Sequence, residues 1–506
     1  MTKPLLPPAG CAACTARDAV IAAQETAIAG QQAAIGQLQA KVERLERLVS
    51  RNSGNSSFPP SMDGQPGRAR PARAKRRPAG GGRAVGKQPG APGSHLAWSP
   101  DPDERVAVFP EGRCGCGADL AAGADLGVAG SHQQVDIPLV TARVIQYDRH
   151  LVRCGCGALA GAAAPAGTGT PGTVTYGPNL QAWCVYLMVA HAVPVHRCAE
   201  LIESLTGARP SAGFVHGMLA RAAAAVAAAN KLIRALIIAS HVVSCDETPV
   251  RSGPGPAWRK RSLLVAATAL LTCYMLGDRT VASFAEFVLP DLTGTVVHDR
   301  YHVYDHARLG ALTHQLCCAH LLRDLEDAAQ TYPGAPWPAQ ITAALRGLIH
   351  AAAQARNAGL AALPPATARP LITAFRDAVT AGLADLAARA GGTRLHNRHP
   401  GQKLLEDLRD RQDDVLRFTT DLRIPPTSNQ AERDLRPAKT QDKISGRLRS
   451  DQATRHRYAI RGYLSTATKH NAGALTTLRD AIRGRPWMPP IPADLLSTPA
   501  QATTTA

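Results

Sequence analysis

Residues 241–250 read HVVSCDETPV, and this stretch decides the fold predicted for the chain. Its apolar, β-branched start predicts a short buried strand. The strand is expected to end in a carboxylate, Asp246, which Glu247 follows. A carboxylate in this position is either a metal ligand or, more commonly, a turn or capping residue, and Glu247 is expected to be ion-paired or solvated.

Two later segments place acidic residues in similar surroundings. Residues 294–306, GTVVHDRYHVYDH, predict a strand that leads into Asp299. Residues 425–443, PPTSNQAERDLRPAKTQDK, predict a helix that starts after two prolines, with Ser428 among the N-cap candidates. Glu432 then falls in an early helical turn, where it could also pair with a neighbouring arginine.

Three such carboxylates are the ligands expected for two hard divalent cations. Mg²⁺ prefers oxygen ligands and keeps several waters. Two cations ~4 Å apart can activate the attacking oxygen and stabilise the leaving oxygen of an in-line displacement at phosphorus. The chemistry predicted from Asp246, Asp299 and Glu432 is therefore phosphodiester cleavage and joining.

The segments around these carboxylates alternate between strand and helix. Residues 258–276, WRKRSLLVAATALLTCYML, supply two more strand candidates. Residues 311–328, ALTHQLCCAHLLRDLEDA, pass into a clear helix, and residues from about 176 to 240 are mostly helix-forming. The predicted fold class is a multidomain α/β protein.

Length and charge narrow the functions open to this chain. Its 506 residues exceed the usual size of one hydrophobic core. Lys and Arg number 57 against 39 Asp and Glu, which gives a net charge of +18 and favours nucleic acid as partner. No uncharged apolar run could span a bilayer and no secretory signal is visible, so we expect a cytoplasmic, nucleoid-associated protein without a membrane partner.

An apolar side chain recurs at every seventh position near the N-terminus, at Ile21, Ile28, Ile35, Val42 and Val49. This heptad repeat predicts a coiled coil, and hence a homo-oligomer. The alternative is a single amphipathic helix packed on the rest of the chain.

Residues 51–95 change to a composition of Ser, Pro, Gly and Arg that cannot form a core. Within it, residues 68–83 read RARPARAKRRPAGGGR and include Arg76 and Arg77. This segment is either a flexible basic segment that contacts DNA phosphates or a solvated linker.

Two Cys-Gly-Cys-Gly repeats follow, with cysteines at Cys114, Cys116, Cys154 and Cys156. Four thiolates could close one tetrahedral structural Zn²⁺ site, and strand-like segments lie between the repeats. The usual spacing is Cys-x-x-Cys, so buried thiols without metal are the alternative.

The sharpest motifs are CDET at 245–248, HDRYHVYDH at 298–306, QLCCAHLLRDL at 315–325 and SNQAERDLRPAKTQDKISG at 428–446. With these motifs the chain resembles the bacterial DDE transposases named after insertion sequence 66, over nearly its whole length. The resemblance implies an RNase H-like catalytic core in which Asp246, Asp299 and Glu432 bind Mg²⁺ or Mn²⁺.

The resemblance also implies the partners: DNA of the element ends and of the target, and accessory transposition proteins. Lys439 lies seven residues after Glu432, on the same face if the helix is continuous, although Pro437 is expected to interrupt it. Arg436 and Arg323 are further DNA-binding candidates, and His320 is a candidate supporting residue near the carboxylates.

The predicted domain order has six parts. These are a coiled coil over 15–50, a disordered basic linker over 51–95, a zinc-binding module over 96–170, a helical DNA-binding region over 175–240, a catalytic domain over 241–465 with a helical insertion at about 328–425, and a C-terminal tail segment over 466–506. The main rival function is a catalytically silent DNA-binding protein derived from such an element.

Overall fold

The computed structural model of the protein describes residues 12–50, 96–163, 174–253, 259–389 and 401–492. Helix α1, Ala12–Ser50, contains the heptad positions. Their apolar side chains are exposed, from 43% for Ile21 to 54% for Ile35. Residues 51–95, with Arg76 and Arg77, lie outside the described residues.

The two cysteine repeats form two turns with the same hydrogen bond. In the first, the Gly117 N–H donates to the Cys114 carbonyl at 2.8 Å, and in the second the Gly157 N–H donates to the Cys154 carbonyl at 2.8 Å. Both glycines have φ of +90°, a conformation that side chains with a Cβ rarely adopt. The repeats therefore give the same local backbone, and all four cysteines are exposed.

The strand prediction between these repeats is largely wrong. Of residues 132–152, only the end belongs to a strand: β1, Leu151–Arg153, which pairs antiparallel with β2, Leu159–Gly161. Val135 and Leu139 are 78% and 97% exposed. Since the part of the chain that the structure describes offers these residues neither a ladder partner nor a second layer, their alternating pattern does not produce strands there.

A helical region precedes the main sheet and is completed by the last two described helices. Its helices are α2, Pro178–Val189, α3, Val195–Thr206, α4, Ala212–Ala225, and α5, Ala227–Ile238. Their apolar faces share one core, which also takes in one face of the sheet. Among the described helices none alone is long and apolar enough to cross a membrane; α4 and α5 together pass that test, with a 52° bend between them.

The main sheet has five strands in the order β5-β4-β3-β6-β7. These strands are β3, Val242–Ser252, β4, Arg259–Ala267, β5, Thr272–Gly277, β6, Thr295–His298, and β7, Thr313–Leu316. Strands β3, β4 and β5 form an antiparallel meander, whereas β6 and β7 run parallel to β3. Helix α6, Val281–Glu286, lies between β5 and β6. Both strand candidates in residues 258–276 are confirmed.

A set of helices between β7 and the third acidic residue has its own core around Trp337 and Phe375. The set consists of α7, Cys318–Thr331, α8, Trp337–Asn357, α9, Pro365–Arg389, α10, Gln402–Asp410, and α11, Gln412–Thr420. Gly382 lets helix α9 pack closely against α8 and α10, because a Cβ there would come within 3.0 Å of Leu405 and Trp337.

Helix α12, Asn429–Ile444, continues through Pro437, so the expected interruption is wrong. Proline removes one backbone hydrogen bond, but Leu435 and Ala438 on either side of it are buried against the sheet. Helix α13, Asp451–Lys469, runs across position 465, and α14, Ala474–Ile482, packs against α2. Residues after 465 therefore contribute to the core of the helical region.

Candidate active site

The register of the parallel strands brings two carboxylates level with each other. Val243 pairs with Val296 and Ser244 with Val297. Asp246 and Asp299 each lie two residues beyond the last of these pairs, on neighbouring strand paths. Asp246 is not at a strand end as expected, because β3 continues to Ser252 alongside β4. Only its parallel pairing stops near this point.

The third carboxylate comes from the start of α12, as the sequence predicted. Ser428 is the N-cap and Glu432 lies in the first turn. The Ser428 N–H donates to the Cys317 thiol at 3.2 Å, and the Cys318 N–H donates to the Pro426 carbonyl at 2.8 Å. These two bonds join the start of α12 to the start of α7, where β7 ends.

The electrostatics show that the three carboxylates interact. Burial, followed by repulsion from Asp299, raises the pKa of Asp246 to about 7, and Glu432 adds to that rise. The Tyr301 N–H donates to Asp299 Oδ1 at 3.0 Å, which orients this carboxylate. Glu432 Oε1 is buried and, among the described residues, has no hydrogen-bond partner. The carboxylates of Asp246, Asp299 and Glu432, which we call the acidic cluster, therefore repel one another. One oxygen of the acidic cluster lacks a hydrogen-bond partner among the described residues.

Cationic groups stand beside Glu432. The nearest distances to Glu432 Oε1 are 3.6 Å from Arg323 and 3.9 Å from His320 Nε2. Burial opposes the charged imidazole of His320, but the Cys317 side chain and Asp299 outweigh it and raise the pKa of His320 to about 9. Hydrogen bonding to His320 in turn lowers the pKa of Cys317 against the effect of burial. The structure therefore places His320 and Arg323 near a carboxylate of the site.

An ion pair between a buried carboxylate and an exposed arginine next to the site was not predicted as a positioning element. Glu247, whose side chain is 4% exposed, accepts a hydrogen bond from Arg279 Nε at 2.8 Å. The Arg279 guanidinium lies 3.9 Å from the ring centroid of Tyr301, and the Tyr301 hydroxyl donates to the Arg279 carbonyl at 3.1 Å. Since Tyr301 also holds Asp299, Arg279 connects β3 to the loop that carries the second acidic residue.

A second ion pair joins that loop to the helices after β7. Arg300, directly after Asp299, contacts Asp324 on α7 and donates to Asp407 on α10 at 2.7 Å. Its partners lie 24 and 107 residues away in the chain. A single sequence does not indicate ion pairs between residues so far apart. The signal that it does offer is Arg300 directly after the candidate ligand Asp299.

The other predicted site residues fall in two places. Lys439 and Arg436 lie on α12 beyond Glu432, Lys439 half-buried and Arg436 exposed. The four cysteines of the repeats lie in the segment before the helical region. Across the described ranges, no group of three or more His, Cys, Asp or Glu side chains stands close enough to hold a metal ion as placed.

A mixed sheet flanked by helices, with Asp246 and Asp299 level with each other beyond the pairing of β3 and β6, defines an α/β protein whose fold is compatible with a transposase core. The family described as Transposase IS66 family matches residues 173–456, more than half of the chain. The chain belongs to that family. A family of unknown function, DUF6444, matches residues 14–97. No curated protein matches the sequence.

Proposed function

We propose that this chain catalyses metal-dependent cleavage and strand transfer of DNA at the ends of its own insertion sequence. The observation that carries the proposal is the register of β3 and β6, which sets Asp246 level with Asp299, together with the electrostatic effect of Glu432 on Asp246. The strand order β5-β4-β3-β6-β7, an antiparallel meander extended by two parallel strands, supports an RNase H-like core. The positive charge of the chain agrees with a DNA partner.

The three carboxylates fit Mg²⁺ or Mn²⁺ by their chemistry. All offer oxygen ligands, which these hard cations prefer. Burial and repulsion from Asp299 raise the pKa of Asp246, and a bound cation would offset both effects and satisfy the free oxygen of Glu432. Bound cations would activate the attacking oxygen and stabilise the leaving one.

The reaction needs no covalent enzyme intermediate. Water attacks a phosphodiester at the element's end, the phosphorus–oxygen bond to the 3′ oxygen breaks, and a 3′-hydroxyl is released. That hydroxyl then attacks a phosphodiester of the target. Its oxygen forms a new bond to the target phosphorus, the bond from this phosphorus to the target's own 3′ oxygen breaks, and a 3′-hydroxyl of the target is released. Arg323 and His320, beside Glu432, are positioned to hold a phosphate against the acidic cluster.

Two further proposals concern assembly. The matching turns at Cys114 and Cys154 present pairs of thiols that Zn²⁺ would draw into one site, and the zinc content of the purified chain tests this. The exposed heptad face of α1 supports self-association through a coiled coil, which the oligomeric state of a chain lacking residues 1–50 tests. Accessory proteins for complete transposition remain part of the proposal.

Cleavage of an element-end oligonucleotide separates the enzyme from its rival, a catalytically silent DNA-binding protein. We expect the purified chain to nick this DNA with Mg²⁺ or Mn²⁺, and we expect a chelator to abolish the nick. Gel electrophoresis of end-labelled DNA measures both. A retarded band without product in either metal would favour the silent binder.

Replacing Arg279 with Ala is expected to lower cleavage by about 10–100-fold, the usual effect of removing a partner that orients a metal ligand. Because Arg279 acts on Asp299 through Tyr301, the Mg²⁺ concentration for half-maximal cleavage should rise while DNA affinity stays unchanged. Arg279→Lys should recover part of the loss.

The control for this variant is Arg423→Ala, which removes an arginine that is exposed and paired with Asp421. It should cleave like the wild type. If Arg279→Ala loses activity with an unchanged Mg²⁺ dependence, Arg279 stabilises the fold without orienting Asp299.

A further inference from the structure

A basic groove of about 240 Å³ runs between helix α12 and the end of helix α2. We call it the arginine groove. Its lining consists of Arg433, Arg436, Pro437 and Thr440 of α12, Arg461 of α13, and Val189, Ala190 and Ala192 at the end of α2.

The charged side chains that line the arginine groove are all positive. Three arginines line it and no carboxylate does. Asp434, which follows Arg433 on α12, pairs with Lys469 at 2.8 Å. Arg461 Nε is buried and has no hydrogen-bond partner among the described residues. Three guanidinium groups with no carboxylate among the lining residues favour an anionic ligand.

The end of α2, which lines the groove opposite α12, contains a residue in a rarely adopted backbone conformation. Ala192 has φ of +57°, which residues with a Cβ rarely adopt. Its carbonyl accepts a hydrogen bond from the Ser445 hydroxyl, just after α12, and Arg457 of α13 donates to the Met188 carbonyl. The groove is therefore built by bonds that tie the helical region to α12, and local strain of this kind is common at binding sites.

The position of the groove relates it to the acidic cluster. With a rise of 1.5 Å per residue, Arg436 lies ~6 Å and Thr440 ~12 Å along α12 from Glu432. Phosphates of one DNA strand are spaced ~3.4 Å along the duplex axis. The groove thus covers about two to four phosphates beyond the acidic cluster. Its volume is below the roughly 300–1,000 Å³ of small-molecule sites, which fits phosphate groups better than a whole nucleotide.

We propose that the arginine groove binds the DNA phosphates adjacent to the cleaved bond and leads the strand from the acidic cluster toward the helical region. Arg433 and Arg436 supply the exposed charges, and Arg461 adds a third positive charge to the lining. The inference rests on the proposed function, because it takes DNA as the substrate. It adds Arg433 and Arg461, together with the end of α2, to the DNA-binding surface.

The test measures DNA binding as a function of salt, on an Asp246→Asn background so that no cleavage occurs. The double variant Arg433→Gln, Arg436→Gln should bind a duplex roughly a hundredfold more weakly, about tenfold for each charged hydrogen bond. The slope of log affinity against log salt should fall by about 1.8, since each lost phosphate contact removes about 0.9. Arg461→Lys keeps the charge of the third lining residue, so it should leave the slope nearly unchanged.

The matched control is the double variant Arg346→Gln, Arg369→Gln, which removes two exposed arginines from α8 and α9. It should leave affinity and slope close to the wild type. If the groove variants keep the control's affinity and slope while their thermal unfolding is unchanged, the inference is wrong. Competition by inorganic phosphate as strong as that by DNA would also overturn it, because the site would then bind free anions.

Failure of the inference can be told apart from failure of the proposed function. A wild-type chain that cuts DNA while the groove variants bind normally refutes only the groove. If the chain with all groove residues intact binds DNA with the expected salt slope but never cuts it, only the catalytic proposal is refuted.

Discussion

Replacing Asp246 or Asp299 with Asn, or Glu432 with Gln, is expected to reduce metal-dependent cleavage by about 10³-fold or more. A bound metal contributes several kcal/mol of transition-state stabilisation, and each 1.36 kcal/mol is a factor of ten in rate. The three effects should be similar because the carboxylates interact as one cluster, as the raised pKa of Asp246 shows. Quantified product from an end-labelled element-end oligonucleotide measures them.

The DNA affinity of the same three variants should behave differently from their cleavage rate. Each neutral variant removes a negative charge near the bound phosphates, so its affinity without metal should equal or exceed that of the wild type. Asp413→Asn and Glu286→Gln, which neutralise exposed acids elsewhere, serve as matched controls and should cut normally. Near wild-type cleavage by any one of the three cluster variants would remove that residue from the proposed metal site.

The sequence located the elements that carry the acidic residues because local signals define them. Apolar, β-branched runs predicted β3 to β6, and two prolines followed by Ser428 predicted the start of α12. The position of Asp246 within β3 could not be predicted in the same way. Strand β3 pairs with β6 on one side only up to Ser244 but with β4 on the other side up to Ser252, and its own residues do not reveal which partner stops first.

Helix α12 shows how packing overrides a local signal. Pro437 normally ends or bends a helix at a cost of about 3 kcal/mol. Burial of Leu435 and Ala438 against the sheet compensates for that cost, and the continuous helix keeps Lys439 on the same side as Glu432. The ion pair of Glu247 agrees with the expectation that this residue is ion-paired or solvated. Its partner Arg279 and the partners of Arg300 were missed for a related reason: these residues come together only when distant elements pack.

Replacing Gly294 with Ala is expected to destabilise the sheet strongly and to abolish cleavage. A Cβ at this position would lie 2.2 Å from the Ser240 carbonyl oxygen and 2.3 Å from that of His241. Both atoms belong to backbone, so no side-chain rotation can relieve the clash. Gly294 directly precedes β6, whose first residue, Thr295, donates to the His241 carbonyl at 2.8 Å. The substitution must therefore push β6 away from β3.

The displacement would reach the active site because Asp299 follows β6 without a break. Overpacking costs about 1–3 kcal/mol or more, and ~3 kcal/mol lowers the midpoint of thermal unfolding by about 6–12 °C for a domain of this size. Gly217→Ala is the matched control, since no atom lies within 4 Å of the added Cβ and α4 should gain about 0.5–1 kcal/mol. An unchanged midpoint together with full cleavage in Gly294→Ala would show that the close approach of β6 to β3 does not position Asp299.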